Sequence, residues 1–375
     1  FQAEDGIRDR SPSRGLGDVY KRQLQSLLTQ AETKLNNGNY HQAEKLANEM
    51  LAQLDSFPSS AAKEDSAEGG DGVDSELKRM QSTLRANATR LLGGINRMRG
   101  DYPTALEHYN SALHISEEIA DKAGIAKTLG NIGLVHANLS DYPKALEYFG
   151  KALTIDEELG NKAGIAMWFG NIGNVHQNLS DYPKALEYYG KALTIDEELG
   201  NKAGVARHLG NIGIVHWRLS DYPKALEYYG KALTIDEELG NKEGVARHLG
   251  NIGIVQQNLS DYPKALEYYG KALMIHEELG NKHGVARHLG NIGIVHTNLS
   301  DYPKALEYYG RALSMDEELG NKAGVAVHLG NIGNVNVKLS DYSKALEYYG
   351  KALSIDEELG NKAGVARHLG NIGLV

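Results

Sequence analysis

The chain has 375 residues, no cysteine and a formal net charge of −9 at pH 7. The absence of cysteine excludes disulfides, thiolate metal sites and cysteine nucleophiles, and the acidic balance disfavours electrostatic binding of nucleic acid by the whole molecule. No apolar run approaches the roughly 18 residues that a membrane-spanning helix needs, and no secretory signal is visible. We therefore expect a cytoplasmic protein without a membrane span.

The first 75 residues are predicted to hold one hairpin between two irregular segments. Residues 1–23 lack apolar periodicity and an initiating Met, so we expect them to derive from adapter or vector sequence or to be disordered. Residues 24–56 contain a faint copy of the repeat found downstream and predict an N-terminal helical hairpin. Residues 57–75 are rich in Ser, Gly and acidic side chains, which is typical of a flexible linker.

The rest of the chain, residues 76–375, is a tandem array with a period of 40 residues. A diverged unit covers 76–122, six units run through 123–362, and a truncated unit covers 363–375. Because the sequence stops at Val375, inside a repeating unit, we expect the chain to be a fragment. A period between 20 and 50 residues indicates a solenoid, in which each unit buries its apolar faces against its neighbours.

One unit, residues 203–242, contains two amphipathic helices separated by a turn. Steps of three and four residues place two apolar stripes on helix faces: Val205, Leu209, Ile212 and Val215, then Leu226, Tyr229, Leu233 and Ile235. Between them, Ser220 or Asp221 is suited to cap the second helix, and Pro223 is tolerated in its first turn. Gly240 suits a left-handed helix end. The sequence thus predicts an all-α fold of helix-turn-helix hairpins.

Glycine is unusually frequent for a helical protein, with 43 residues. Gly213 and Ala232 are expected to let the two helices of a pair approach closely. Gly210 and Gly230 have no evident packing reason in the sequence. They are interpreted as copies of an ancestral choice, with close access of a ligand backbone as the alternative for Gly210.

The pattern of small and large residues resembles the tetratricopeptide-repeat signature, carried by Leu209, Ile212, Gly213, Tyr222, Ala225, Tyr229 and Ala232. The unit departs from that signature at His216, where Tyr is usual, and in its 40-residue length. The longer repeat resembles those of Pins-type G-protein-signalling modulators and, less closely, those of kinesin light chain. The resemblance implies a right-handed superhelical α-solenoid that binds extended peptides on its concave wall, and it implies G-protein-pathway or cytoskeletal partners.

The first helix of each unit offers two repeated polar columns that would face such a peptide. A basic column is formed by Lys127, Arg207, Arg247, Arg287 and Arg367, and an amide column by Asn131, Asn171, Asn211, Asn251, Asn291, Asn331 and Asn371. Residues four apart share a helix face. Guanidinium forks suit carboxylates, and amides can clamp a peptide backbone. The columns predict a groove for an acidic peptide; the alternative is a solvated helix face.

Near the end of the first helix, one column varies between units that are otherwise nearly identical. Trp217 is its largest member and a candidate anchor for a partner, with a rim aromatic as the alternative. On the second helix, Asp236, Glu237 and Glu238 are expected to form a solvated face. The histidines His208 and His216, with their counterparts, are interpreted as packing in the seams between helices, with a pH-sensitive seam as the alternative.

The leading functional prediction is a protein-binding scaffold or adaptor in signalling. No nucleophile–base set, cofactor loop or compact metal-ligand motif occurs in the sequence, so we expect no catalytic residues, no cofactor and no metal. Two alternatives remain at this point. In the first alternative, the array is an architectural or self-associating solenoid. In the second, it is the targeting module of an enzyme whose catalytic domain follows residue 375.

Overall fold

The computed structural model describes residues 12–56 and 70–375, and every regular element in those ranges is an α-helix, which confirms the predicted all-α class. The helices are α1 Pro12–Asn36, α2 Tyr40–Ser56, α3 Gly70–Met98, α4 Tyr102–Glu118, α5 Lys122–Asn138, α6 Tyr142–Glu158, α7 Lys162–Asn178, α8 Tyr182–Glu198, α9 Lys202–Arg218, α10 Tyr222–Glu238, α11 Lys242–Asn258, α12 Tyr262–Glu278, α13 Lys282–Asn298, α14 Tyr302–Glu318, α15 Lys322–Lys338, α16 Tyr342–Glu358 and α17 Lys362–Gly373.

Two predicted boundaries differ from the helix bounds near the start of the chain. Helix α1 begins at Pro12, so it includes the end of the segment 1–23, whose origin stays a prediction. Near the middle of α1, Leu24 is fully buried and the Tyr20 hydroxyl donates to the backbone carbonyl of Gln53 in α2. Helix α3 begins at Gly70 and takes in the end of the predicted linker. Residues 1–11 and 57–69 lie outside the described residues.

The turns within and between hairpins follow the predicted chemistry. Asp221 caps α10 by accepting a hydrogen bond from the backbone N–H of Lys224, and Pro223 lies in the first turn. Helix α10 is followed by Gly240 with φ of +65°, which is the left-handed conformation expected there. Asn241 then caps α11 by accepting from the N–H of Gly244. Each repeat therefore carries its own start and stop signals.

Buried clusters lie within hairpins, as at α13 with α14, and also where the second helix of one hairpin packs against the first helix of the next. Ala225 and Tyr229 of α10 form a buried cluster with Ile252 and Val255 of α11, and the same cluster recurs at α12 with α13 and at α14 with α15. A Cβ on Gly213 would lie 2.7 Å from Cδ1 of Tyr229, so the predicted role of this glycine in close packing is confirmed. Truncating a buried aromatic of this kind costs about 3–5 kcal/mol.

The chain divides into two compact units, residues 1–195 and 196–375. The described part of the first contains α1 to α7 and most of α8, and the second contains α9 to α17. Within residues 12–56 and 70–375, no helix is long and apolar enough to cross a membrane. The handedness of the array stays a prediction.

Candidate functional site

The two polar columns of the first helices lie on one face in each unit. In residues 196–375 the basic column is exposed at Arg207, Arg247, Arg287 and Arg367, and the amides Asn211, Asn251, Asn291, Asn331 and Asn371 are half-buried. In residues 1–195 Lys127 is exposed, while Asn131 and Asn171 are half-buried. The columns thus present charged tips to solvent beside partly sheltered amides. Near the end of the array, Nδ2 of Asn371 donates to Oδ1 of Asn334 at 3.3 Å.

Behind the exposed arginines lies a buried layer that the sequence interpretation missed. Asp236, expected on a solvated face with Glu237 and Glu238, is only 1% exposed. Its Oδ1 accepts a hydrogen bond from Nδ2 of Asn241 at 2.8 Å, and its Oδ2 lies 3.1 Å from Nε2 of His248. Equivalent pairs are Asp196 with His208, Asp316 with His328, and Asp356 with His368. Asp236 continues the buried stripe of Ala225, Tyr229 and Ala232 at helical spacing. This spacing is the feature of the sequence from which its burial could have been predicted.

The buried histidines are held in the neutral state. The pKa of His248 is lowered to about 4, chiefly by burial and also by the neighbouring Arg247 guanidinium, while the Asp236 carboxylate opposes both effects. The pKa of His208 is also lowered to about 4, with burial again the main cause. With His208 only 1% exposed, the predicted packing of this column in the seam is confirmed.

Three exposed arginines lie at the edge of these buried carboxylates. The distance from the arginine Nη2 to the aspartate Oδ2 is 3.9 Å for Arg207, 3.8 Å for Arg247 and 3.9 Å for Arg367. The buried aspartate therefore offsets part of the positive charge of each of these guanidinium groups, even when no ligand is bound. We call each exposed arginine, with the buried side chains behind it, a rung.

The glycine column that runs beside the rungs has a packing role. A Cβ on Gly210 would lie 2.7 Å from Cε1 of His248, and one on Gly250 would lie 2.6 Å from Cε1 of His288. The histidine of the following repeat occupies the space in front of each glycine, so ligand access at Gly210 is excluded. Around Gly230 an added Cβ would meet nothing within 4 Å, and nothing in the structure explains that glycine.

Trp217, the predicted anchor, is half-buried against the core instead of standing free. It packs on the cluster that contains Tyr229, and the Arg218 guanidinium lies 4.8 Å from its ring. At the equivalent positions, Gln257 accepts from the hydroxyl of Tyr269 at 3.0 Å, and Thr297 lies 3.2 Å from that of Tyr309. The variable column is thus a contact to the core tyrosine of the same hairpin. Its use by a partner stays a prediction.

The second histidine column lies at the turn within the hairpin. His216 stacks on Tyr228 with ring centroids 5.4 Å apart, and its Nδ1 lies 3.3 Å from Oδ2 of the capping Asp221. Among residues 12–56 and 70–375, no group of three or more metal-ligating side chains could hold a metal ion. This column therefore stabilises the turn by aromatic stacking and by contact with the cap.

A pocket of about 780 Å³ lies among α12, α13 and α14. Val285, Leu289 and Met315 contribute apolar walls, and Lys282 and Glu318, which form an ion pair, contribute polar ones. The rung arginines and the amide column are not among its lining residues. The pocket and the two polar columns are therefore separate features.

The structure defines a helical-repeat protein in which the hairpins from α9 to α16 share an Asn cap on the first helix, an Asp cap on the second and a packed glycine between them. Family models described as "Tetratricopeptide repeat" match residues 84–158, 164–238, 244–318 and 329–359. Because these matches cover more than half of the chain, it belongs to the tetratricopeptide-repeat family. The finer resemblance to Pins-type modulators and kinesin light chain stays a prediction.

Solved structures with the same fold are similar over most of their length. The apo form of RapI is 19% identical with a TM-score of 0.59, covering 74% of this chain and 99% of its own. Aspartyl phosphate phosphatase F from Bacillus subtilis is 15% identical with a TM-score of 0.61, covering 94% and 96%. The Rap conjugation gene regulator of plasmid pLS20, in complex with the Phr* peptide, is 16% identical with a TM-score of 0.57, covering 90% and 96%. A comparison with curated proteins found no significant match.

Proposed function

We propose that the protein is a scaffold that binds an extended, acidic peptide segment of partner proteins along the first-helix face. The observation that carries the proposal is the repeated pairing of an exposed arginine with a half-buried asparagine one turn further on, at Arg207, Arg247 and Arg287 in consecutive hairpins. Arginine can hold a carboxylate with two parallel hydrogen bonds, and the asparagine amide can both donate to and accept from a peptide backbone.

The fold likeness gives this proposal additional support. Two of the similar structures are described as complexes, one of a Rap regulator with the Phr* peptide and one of a Rap protein with Competence and Sporulation Factor. We extend peptide binding from them to this chain. The residues proposed to bind are the basic and amide columns within residues 196–375 and, separately within residues 1–195, Lys127, Asn131 and Asn171. The role is one of binding without catalysis, in the cytoplasm, with no cofactor.

Selection from a displayed random peptide library tests the proposal. The full chain is compared with a variant in which Arg207, Arg247 and Arg287 are replaced by Gln. A matched control replaces three exposed cations of the second helices, Lys231, Lys271 and Arg311, by Gln, which changes the net charge equally. We expect the wild type and the control to enrich acidic peptides and the first-helix variant to lose them. Equal enrichment by all three proteins would disprove the groove, and equal loss from both variants would show that only bulk charge matters.

A further inference from the structure

Within residues 196–375, one repeat junction departs from the buried Asp–His pattern. At position 276 a histidine replaces the aspartate found at 196, 236, 316 and 356. The His276 side chain is 1% exposed, and its ring stacks on His288 with centroids 5.2 Å apart and planes 21° apart. Among the described residues, neither ring nitrogen of His276 has a hydrogen-bond partner. A neutral aromatic pair thus takes the place of a carboxylate–imidazole pair.

The exchange of aspartate for histidine at position 276 removes the carboxylate behind Arg287. The Nη2 atom of Arg287 lies 3.5 Å from Nε2 of His288. Unlike Arg207, Arg247 and Arg367, it has no carboxylate in ion-pair distance within the part of the chain that the structure describes. Glu243 of α11 takes over only part of the missing function. Its Oε1 accepts from Nδ2 of Asn281 at 3.2 Å, and its Oε2 lies 3.8 Å from Nδ1 of His276.

The neighbouring histidines do not supply a competing positive charge at neutral pH. Burial lowers the pKa of His288 to about 3, with Arg287 and His276 adding to the effect. The pKa of His276 is lowered as well, chiefly by burial, while Glu243 opposes the shift. At the other three arginine rungs a buried aspartate stands beside the guanidinium, whereas this rung carries the arginine charge beside two neutral rings.

We propose that Arg287 is the rung that anchors an acidic residue of the bound peptide and so sets the register of binding. A ligand carboxylate that approaches Arg207, Arg247 or Arg367 also approaches a buried aspartate, and the like charges repel. At Arg287 no aspartate stands behind the guanidinium, and Glu243 contacts His276 and Asn281 instead, so the arginine keeps more of its charge for the ligand carboxylate. The inference rests on the proposed function, since it assigns one site within the same groove.

Fluorescence anisotropy with two synthetic peptides tests the assignment. The probe is a fluorescein-labelled peptide of alternating Glu and Ser, and the reference replaces each Glu by Gln. For the full chain, we expect Arg287→Gln to weaken binding of the acidic probe about tenfold and Arg247→Gln to weaken it about threefold or less. His276→Asp installs the residue that five other repeats carry, so it should fold like them and still weaken binding about tenfold. The reciprocal Asp236→His should strengthen binding.

The outcomes separate the inference from the function on which it rests. If Arg247→Gln and Arg287→Gln weaken the acidic probe equally and His276→Asp has no effect, the anchoring role of Arg287 is overturned while acidic-peptide binding stands. If the wild type binds the acidic probe no better than the Gln reference, both are overturned. Thermal melting followed by circular dichroism verifies that each variant is folded.

Discussion

Replacing Gly250 by Ala should destabilise the protein, while the same change at Gly270 should stabilise it. Both glycines lie inside helices, where Ala is favoured over Gly by about 1 kcal/mol. At Gly270 an added Cβ meets nothing within 4 Å, so the full stabilisation from the higher helix propensity of Ala is expected there. At Gly250 the Cβ would lie 2.6 Å from Cε1 of His288. That ring is confined by Tyr269 and His276, whose centroids are 6.1 and 5.2 Å away.

Overpacking of a confined site costs about 1–3 kcal/mol, so the Gly250 variant should be less stable than the Gly270 variant by about that amount. Helical repeats do not unfold in one step, and the measurement must therefore be local. Hydrogen exchange with mass spectrometry follows α11 to α13, where Glu243, Met274 and His283 distinguish these repeats from their neighbours. Exchange in the Gly250 variant that is as slow as in the Gly270 variant would refute the packing argument.

Two further predictions concern the buried Asp–His layer. Acidification from pH 7 to 5 should lower the free energy of unfolding by about 2 kcal/mol for each of His208 and His248. Their folded pKa of about 4 lies below the unfolded 6.5, so the unfolded chain takes up protons first. Protection of α9 and α11 from hydrogen exchange that, after correction for the intrinsic rate, is the same at both pH values would contradict this. Asp236→Ala should cost about 2–3 kcal/mol because the fully buried His248 loses the carboxylate that lies 3.1 Å from its Nε2. The exposed neighbour change Glu237→Ala should cost less than about 0.5 kcal/mol by the same local measurement of hydrogen exchange.

The hairpin architecture could be predicted from the sequence because its signals are local. Asp221 lies directly before the helix that it caps, and Gly240 directly follows the helix that it ends. The pairing of Gly213 with Tyr229 is also short in sequence and lies within one hairpin. Each of these relations can be deduced from a single repeat with the known preferences of helix ends and small residues.

The contacts between repeats could not be predicted in the same way. Gly210 faces His248, which lies 38 residues further on, and apolar periodicity does not show which side chain of the next repeat fills that space. From sequence alone, Asp236 is expected on the surface because charged side chains are rarely buried unless paired, and its partner His248 belongs to another helix. Residues in the seams can therefore be identified only when two neighbouring repeats are considered together, because each seam contact joins side chains of two repeats.

The same buried layer determines both repeat packing and the charge of the exposed face. A seam aspartate contacts the histidine of the next repeat and also lies 3.8–3.9 Å from the exposed arginine, so the number of arginines overstates the charge offered to a ligand. At position 276 the exchange of Asp for His removes a seam contact and leaves Arg287 uncompensated. Under the proposed anchoring, a ligand carboxylate would supply there the negative charge that aspartate supplies elsewhere. Peptide binding should then protect the α12–α13 junction from hydrogen exchange more than its neighbours, because a ligand stabilises the state that it binds.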